Sequence, residues 1–194
     1  MVDRRTRVTS VQQFRAAEMP PGDWRHQLID GIPLTASGPY QAHMDLEARL
    51  RDFLTPAVPS GFRLEERQEI APGGPVGYDL FELDLAVVPD VPGKPDFCRP
   101  ILIMEVLSSH TESFDTGRKL DVCRGLPGMI EILHVSSERV DVALHRCGGN
   151  QDRSWTTDRA GQGGTITLAS LGLLLAVEDL YGSRPAVSTV RHAP

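Results

Sequence analysis

The 194-residue chain predicts a single, strand-rich domain of mixed α/β class, and three observations carry that expectation. Short apolar or alternating runs recur at 61–70, 80–88, 100–107 and 130–136, the length and patterning of strands. One stretch, 40–54, repeats its apolar residues at helical spacing instead. Asp30-Gly31, set between two short runs, is a strong hairpin signal, because both residues accept positive φ in a tight turn.

Taken in order, residues 1–9 read as a frayed start. Ser10-Val-Gln-Gln13 has the form of a capping box and opens a short helix through Glu18, which Pro20-Pro21-Gly22 ends. Gln27 to Thr35 forms the strand–turn–strand pair. In the 40–54 helix, His43, Leu46, Leu50, Phe53 and Leu54 share one stripe, whereas Glu47, Arg49 and Arg51 lie away from it. Strands follow at 61–70 and 80–88. Segment 89–99 holds three prolines and a glycine and is a loop. A strand at 100–107 leads to a helix from Asp115, its N-cap, to about Arg124. Strands at 130–136 and 139–146 come next. Gly161-Gln-Gly-Gly164 is a hairpin connection, since no Lys-Ser/Thr or helix start follows it as a phosphate loop requires. A β-like stretch at 165–176 and a turn at 178–181 close a core of about 8–182 within one domain, 1–194.

Hydrophobic content of 40% and charged content of 24% are ordinary for a water-soluble domain. No apolar run nears the roughly 20 residues that span a bilayer, and no apolar segment follows the basic N-terminus, so neither a membrane anchor nor a signal peptide is expected. Cys98, Cys123 and Cys147 are odd in number and lack metal-ligand spacing, which fits reduced thiols and a cytoplasmic location. The net charge of −6 shows no basic footprint for non-specific nucleic-acid binding, but is compatible with an acidic, metal-filled cleft. Arginines of the N-terminal segment could track a phosphate backbone or be simply solvated.

The chemistry starts at Glu105, a carboxylate inside the apolar run Pro100-Ile-Leu-Ile-Met-Glu105-Val-Leu. A lone buried charge there needs a compensating cation or hydrogen bonds. Asp84 alternates onto one face with Ala86 and Val88. If the two strands pair antiparallel around 89–99 with Val88 opposite Ile101, Asp84 falls opposite Glu105. Two facing carboxylates need a shared proton or cation, and Mg²⁺, or Mn²⁺, suits their hard oxygens. Lys119 lies one helical turn beyond Asp115 and could orient or deprotonate a water or offset charge. The alternative is an exposed acid on an edge strand and a surface helical pair. His43 is either a hydrogen-bonded core histidine or part of a site. Gln27 is either a site contact or a sheet-lining amide. His134 and His145 are expected to serve packing or surface roles.

These residues occur in an order that resembles the Uma-two family of restriction endonucleases, a bacterial branch of the PD-(D/E)XK nuclease superfamily. The matching pieces are Gln27-Leu-Ile-Asp-Gly31, His43 at a helix start, Glu82-Leu-Asp84-Leu-Ala-Val-Val and Ile103-Met-Glu105-Val-Leu-Ser-Ser-His-Thr. Asp115-Thr-Gly-Arg-Lys119-Leu and Leu126-Pro-Gly-Met-Ile-Glu-Ile-Leu-His-Val complete the set, which runs from about Val8 to Tyr181. The resemblance implies a restriction-endonuclease-like mixed sheet flanked by helices and Mg²⁺-dependent cleavage of DNA. It implies Asp84 and Glu105 as metal-binding acids, the Val106 carbonyl as a further ligand, and Lys119 as the catalytic lysine. On the same resemblance, Gln27, His43 and Asp115 are implied as supporting residues. The chain departs from the family pattern where Gln27 replaces a glutamate, Leu83 a proline, Ser109-His110 a Ser-Pro and Cys123 a tyrosine.

Three functions compete. A metal-dependent DNA endonuclease fits the Asp84/Glu105/Lys119 order, and enzymes that cut both strands are often two-fold homodimers. A nuclease fold with a decayed site and a binding or regulatory role fits Gln27, Cys123 and the acidic net charge. A different hydrolase lacks support, because no Gly-x-Ser-x-Gly elbow is present.

Overall fold

A computed structural model describes residues 9–17, 24–37, 41–91, 99–109, 111–149 and 153–182. The N-terminal arginines, Pro20-Pro21-Gly22, most of the 89–99 loop, Cys98 and His110 lie outside the described residues. A six-stranded sheet runs in the order β3 (Phe62–Ile70), β4 (Phe81–Pro89), β5 (Leu102–Leu107), β6 (Glu131–Ser136), β7 (Val142–Cys147), β8 (Trp155–Ala160). Only β5 and β6 are parallel, joined by a helical crossover; the other neighbours are antiparallel. Two hairpins stand apart: β1 (Trp24–Ile29) with β2 (Ile32–Ser37), and β9 (Thr165–Leu168) with β10 (Leu173–Ala176).

Local signals act as the sequence predicts in most places. In α1 (Val11–Arg15) the Ser10 hydroxyl accepts from Gln13 N and the Gln13 side chain answers the Ser10 N–H, completing the capping box. Asp30 (φ +48°) and Gly31 (φ +78°) turn the first hairpin. The α2 helix (Gln41–Leu54) lays Leu46, Leu50 and Leu54 on one sheet face, against Leu85, Val87, Leu102, Met104 and Val106. The opposite face carries Phe81, Ala86, Ile103 and Ile132 under Leu120 and Cys123.

One expectation needs correction, and one strand was not foreseen. The crossover helix starts at Glu112, after Thr111, so Asp115 is not an N-cap. Asp115–Lys119 is a π turn between α3 (Glu112–Phe114) and α4 (Leu120–Arg124), with Gly117 out of helical geometry (φ −104°, ψ −111°). A whole strand, β8, was not legible either. Its side chains are exposed or half-buried along its length, so it lacks the apolar signature, and Asp158 and Arg159 mark it as a protected edge.

Candidate functional site

The β4–β5 ladder pairs Leu85 with Met104, Ala86 with Ile103 and Val87 with Leu102. That is the register anticipated from Val88 and Ile101, and one further step sets Asp84 opposite Glu105. The backbone ladder ends at Leu85 and Met104, and beyond it the Asp84 carboxylate takes over: its Oδ2 accepts the Val106 N–H at 2.8 Å. Across on β3, Arg67 opposes Asp84 between the Glu66–Leu85 and Gln68–Leu83 pairs, with φ +53°. Asp84 therefore interrupts the sheet on both sides.

Asp84, Glu105, Asp115 and Lys119 are all buried, with Asp84 1% and Lys119 2% exposed. Lys119 Nζ lies 2.8 Å from Glu105 Oε2 and 3.5 Å from Asp115 Oδ1, and donates to the Glu82 carbonyl at 2.9 Å. The π turn places Asp115 and Lys119 together on the sheet side of the crossover helix. Burial alone would lower the lysine's pKa, but Glu105, Asp115 and Asp84 outweigh it and hold the ammonium well above its usual range. Burial, with Asp84 and Asp115 adding, pushes Glu105 well up against the opposing pull of Lys119. Burial also disfavours an ionised Asp84, yet the neighbouring His43, Arg25 and Lys119 hold it below the usual carboxylate range.

Three residues close on the other side of Asp84. His43 is buried on α2, its Nε2 3.4 Å from Asp84 Oδ2 and 3.6 Å from Glu47 Oε2. Glu47 does not lie away from the site as the stripe through Leu46 and Leu50 suggested. One turn after His43, it converges with His43 and Asp84, their ligand atoms within 4.8 Å of one another. Burial and the Asp84 charge raise its pKa. Arg25, on β1, reaches Asp84 Oδ1 through Nη1 at 2.5 Å, and its Nε lies 3.3 Å from Glu82 Oε1. Gln27 is buried on the same strand face. Sequence reasoning missed Arg25 and Glu47. The His43–Glu47 spacing of one helical turn was a usable signal; for Arg25, 59 positions from Asp84, nothing local points to the contact.

The orphaned polar atoms concentrate here. Among the described residues, buried side-chain atoms without a hydrogen-bond partner are Arg25 Nε and Nη2, Gln27 Oε1, His43 Nε2 and Glu105 Oε1, and otherwise only Arg124 Nε. Buried polar atoms are normally satisfied, so such a cluster marks a place built to take something else.

Beside Glu105 on β6 lies His134, its register partner, and this residue is core rather than surface. Arg124 and Thr157 bond His145 Nδ1 at 3.2 and 2.9 Å. An arginine can only donate, so His145 carries its proton on Nε2, aimed at His134 Nδ1 at 3.4 Å. Burial holds His134 down to about 3 and His145 to about 4, the nearby cations adding to both. A depressed base is neutral in the fold, so its stabilisation is complete above the unfolded value near 6.5 and is lost as pH falls toward 3. Urea unfolding at about pH 4.5 should show about 2–3 kcal/mol less stability than at neutral pH from His134 alone. His134→Gln should flatten that dependence; an unchanged slope would show that other groups set it.

Against that geometry, a family model matches residues 11–178: Uma2, described as "Putative restriction endonuclease". The chain belongs to the Uma2 family. A solved structure of a "putative nuclease belonging to DUF820" from Anabaena variabilis ATCC 29413 superposes with a TM-score of 0.72 at 14% identity, covering 89% of this chain and 97% of that one. At that identity the likeness shows the fold, a nuclease-like mixed sheet flanked by helices. An uncharacterized protein of Synechocystis sp. is 34% identical over 82 residues, a match spanning 42% of each chain. No described helix of this Uma2 protein is long and apolar enough to cross a membrane.

Proposed function

We propose that this Uma2 protein is a Mg²⁺- or Mn²⁺-dependent DNA endonuclease whose site is Asp84, Glu105 and Lys119. The observation that carries the reading is the convergence of two buried acids and a buried lysine from β4, β5 and the π turn. The donor set fits a hard divalent cation: both acids offer carboxylate oxygens, and Glu105 Oε1 is buried without a partner. Asp84, Glu105 and the Val106 carbonyl would hold it. When bound, the cation supplies Lewis acidity toward a phosphate oxygen and lowers the pKa of a bound water.

The chain's own residues do the rest. Lys119 keeps its proton, held by Glu105 and Asp115, so it serves as a fixed positive charge that steadies a phosphorane-like transition state rather than as a base. Asp115 positions that charge. Asp84 is oriented by Val106 N–H and His43, which keeps its carboxylate ionised and aimed. His43 and Gln27 present orphaned atoms to the same space, where they can meet water or a phosphate oxygen. Cytoplasmic residence and a homodimer that brings two sites to two strands belong to the same reading.

The test is supercoiled plasmid incubated with pure protein and Mg²⁺ or Mn²⁺. Nicking is expected, falling at least about a hundredfold in Asp84→Ala; no nicking, or equal nicking by that variant, would sink the proposal. A second reading, a decayed nuclease fold with a binding role, draws on Gln27 standing where the family has glutamate. It is favoured if calorimetry detects no Mn²⁺ binding that Glu105→Gln abolishes.

A further inference from the structure

Asp84 already has a cation, and it is Arg25. The guanidinium donates through Nη1 to Asp84 Oδ1, while Oδ2 accepts the Val106 N–H, with His43 Nε2 3.4 Å away. The Nε faces Glu82 at 3.3 Å but is aimed too poorly to bond, and Nε and Nη2 are buried without hydrogen-bond partners. A guanidinium offers five donors in a rigid fork matched to carboxylates and phosphates. At Asp84 this one is engaged end-on, with most of that capacity idle. Any divalent cation that takes Asp84 through Oδ1 meets the Arg25 charge at the same atom, and two cations on one oxygen repel.

We propose that Arg25 is a displaceable counter-ion: it neutralises Asp84 until a divalent cation binds, then swings off the carboxylate and its free fork clamps a phosphodiester of the substrate. This rests on the reading of Asp84 as a metal ligand. The backbone nearby is pinned, since Leu28 and Leu80 exchange N–H···O bonds of 2.8 Å each, so the swing belongs to the side chain. Arg25 then passes from half-satisfied in the resting site to fully engaged on phosphate, the bidentate use its geometry favours.

Calorimetric titration of the full chain with Mn²⁺ tests the competition. Arg25→Met should bind Mn²⁺ at least about tenfold more tightly than the native chain, whereas Arg25→Lys, which keeps the competing charge, should stay within about threefold. The Arg25 Nε–H resonance, assigned by its loss in Arg25→Lys, should shift toward that of a solvent-exposed arginine at saturating Mg²⁺. Equal or weaker Mn²⁺ binding by a folded Arg25→Met, or binding by neither protein, overturns the proposal, as does a resonance that Mg²⁺ does not move. If Arg25→Met fails to fold, the resonance decides. Failure of the endonuclease reading is separately visible as an intact plasmid, because neither measurement here requires cleavage.

Discussion

Lys119→Met should destabilise the protein by about 3–5 kcal/mol and abolish any cleavage. The ammonium is the only cation placed within 4 Å of Glu105 or Asp115 among the described residues, and all three groups are buried. Removing it leaves two acids desolvated with nothing to answer them, and they must protonate or the fold must open. Glu105→Gln should cost less, about 1–3 kcal/mol, because the amide still accepts from Lys119 and Asp115 remains as a counter-charge. The double variant decides the cause. Joined to Lys119→Met, Glu105→Gln should recover part of the loss, since it removes one unanswered acid. Denaturant unfolding of all four proteins gives the cycle; strictly additive losses would show that Lys119 acts through packing alone.

The second large effect lies far from that cluster. Glu131→Ala should cost about 3 kcal/mol or more. Glu131 is fully buried at the start of β6, where its carboxylate accepts from Arg146 Nε (2.9 Å), Ala169 N (3.0 Å), Ser170 N (2.9 Å) and Ser170 Oγ (2.6 Å). Arg146 in turn reaches the Thr167 carbonyl at 2.7 Å. One carboxylate thus docks the turn of the β9–β10 hairpin, whose Ile166, Leu168 and Leu175 complete the core over α2's side of the sheet. Glu131→Gln keeps an acceptor and should lose roughly half as much. Hydrogen exchange at 165–176 checks the assignment: protection there should fall first in Glu131→Ala, and uniform loss across the sheet would argue against local docking.

Legibility followed the range of the interaction. The capping box, the Asp30-Gly31 turn and the α2 stripe are local devices, and each reappears in the structure. Asp84 and Glu105 were also readable together, because strand alternation and one register guess place them. The β8 strand was hidden because an exposed edge needs no apolar pattern. Asp115 was misassigned as a cap because a π turn has no composition signal that separates it from a helix start. Glu47 was set aside because a stripe drawn through leucines cannot show that a polar residue beside it faces a buried acid.

By itself, the sequence determined the class of the fold and the family pattern, and it proposed Asp84, Glu105 and Lys119 as the reacting groups. Periodicity and ordered motifs are properties of neighbouring residues, and they survive without a third dimension. Only the tertiary structure decided the electrostatic surroundings of the site. It buried Lys119 between two acids that favour its charged form, and it brought Arg25 across from β1 onto Asp84. Both outcomes depend on desolvation and on contacts between distant strands, and neither is written in any local window of the chain.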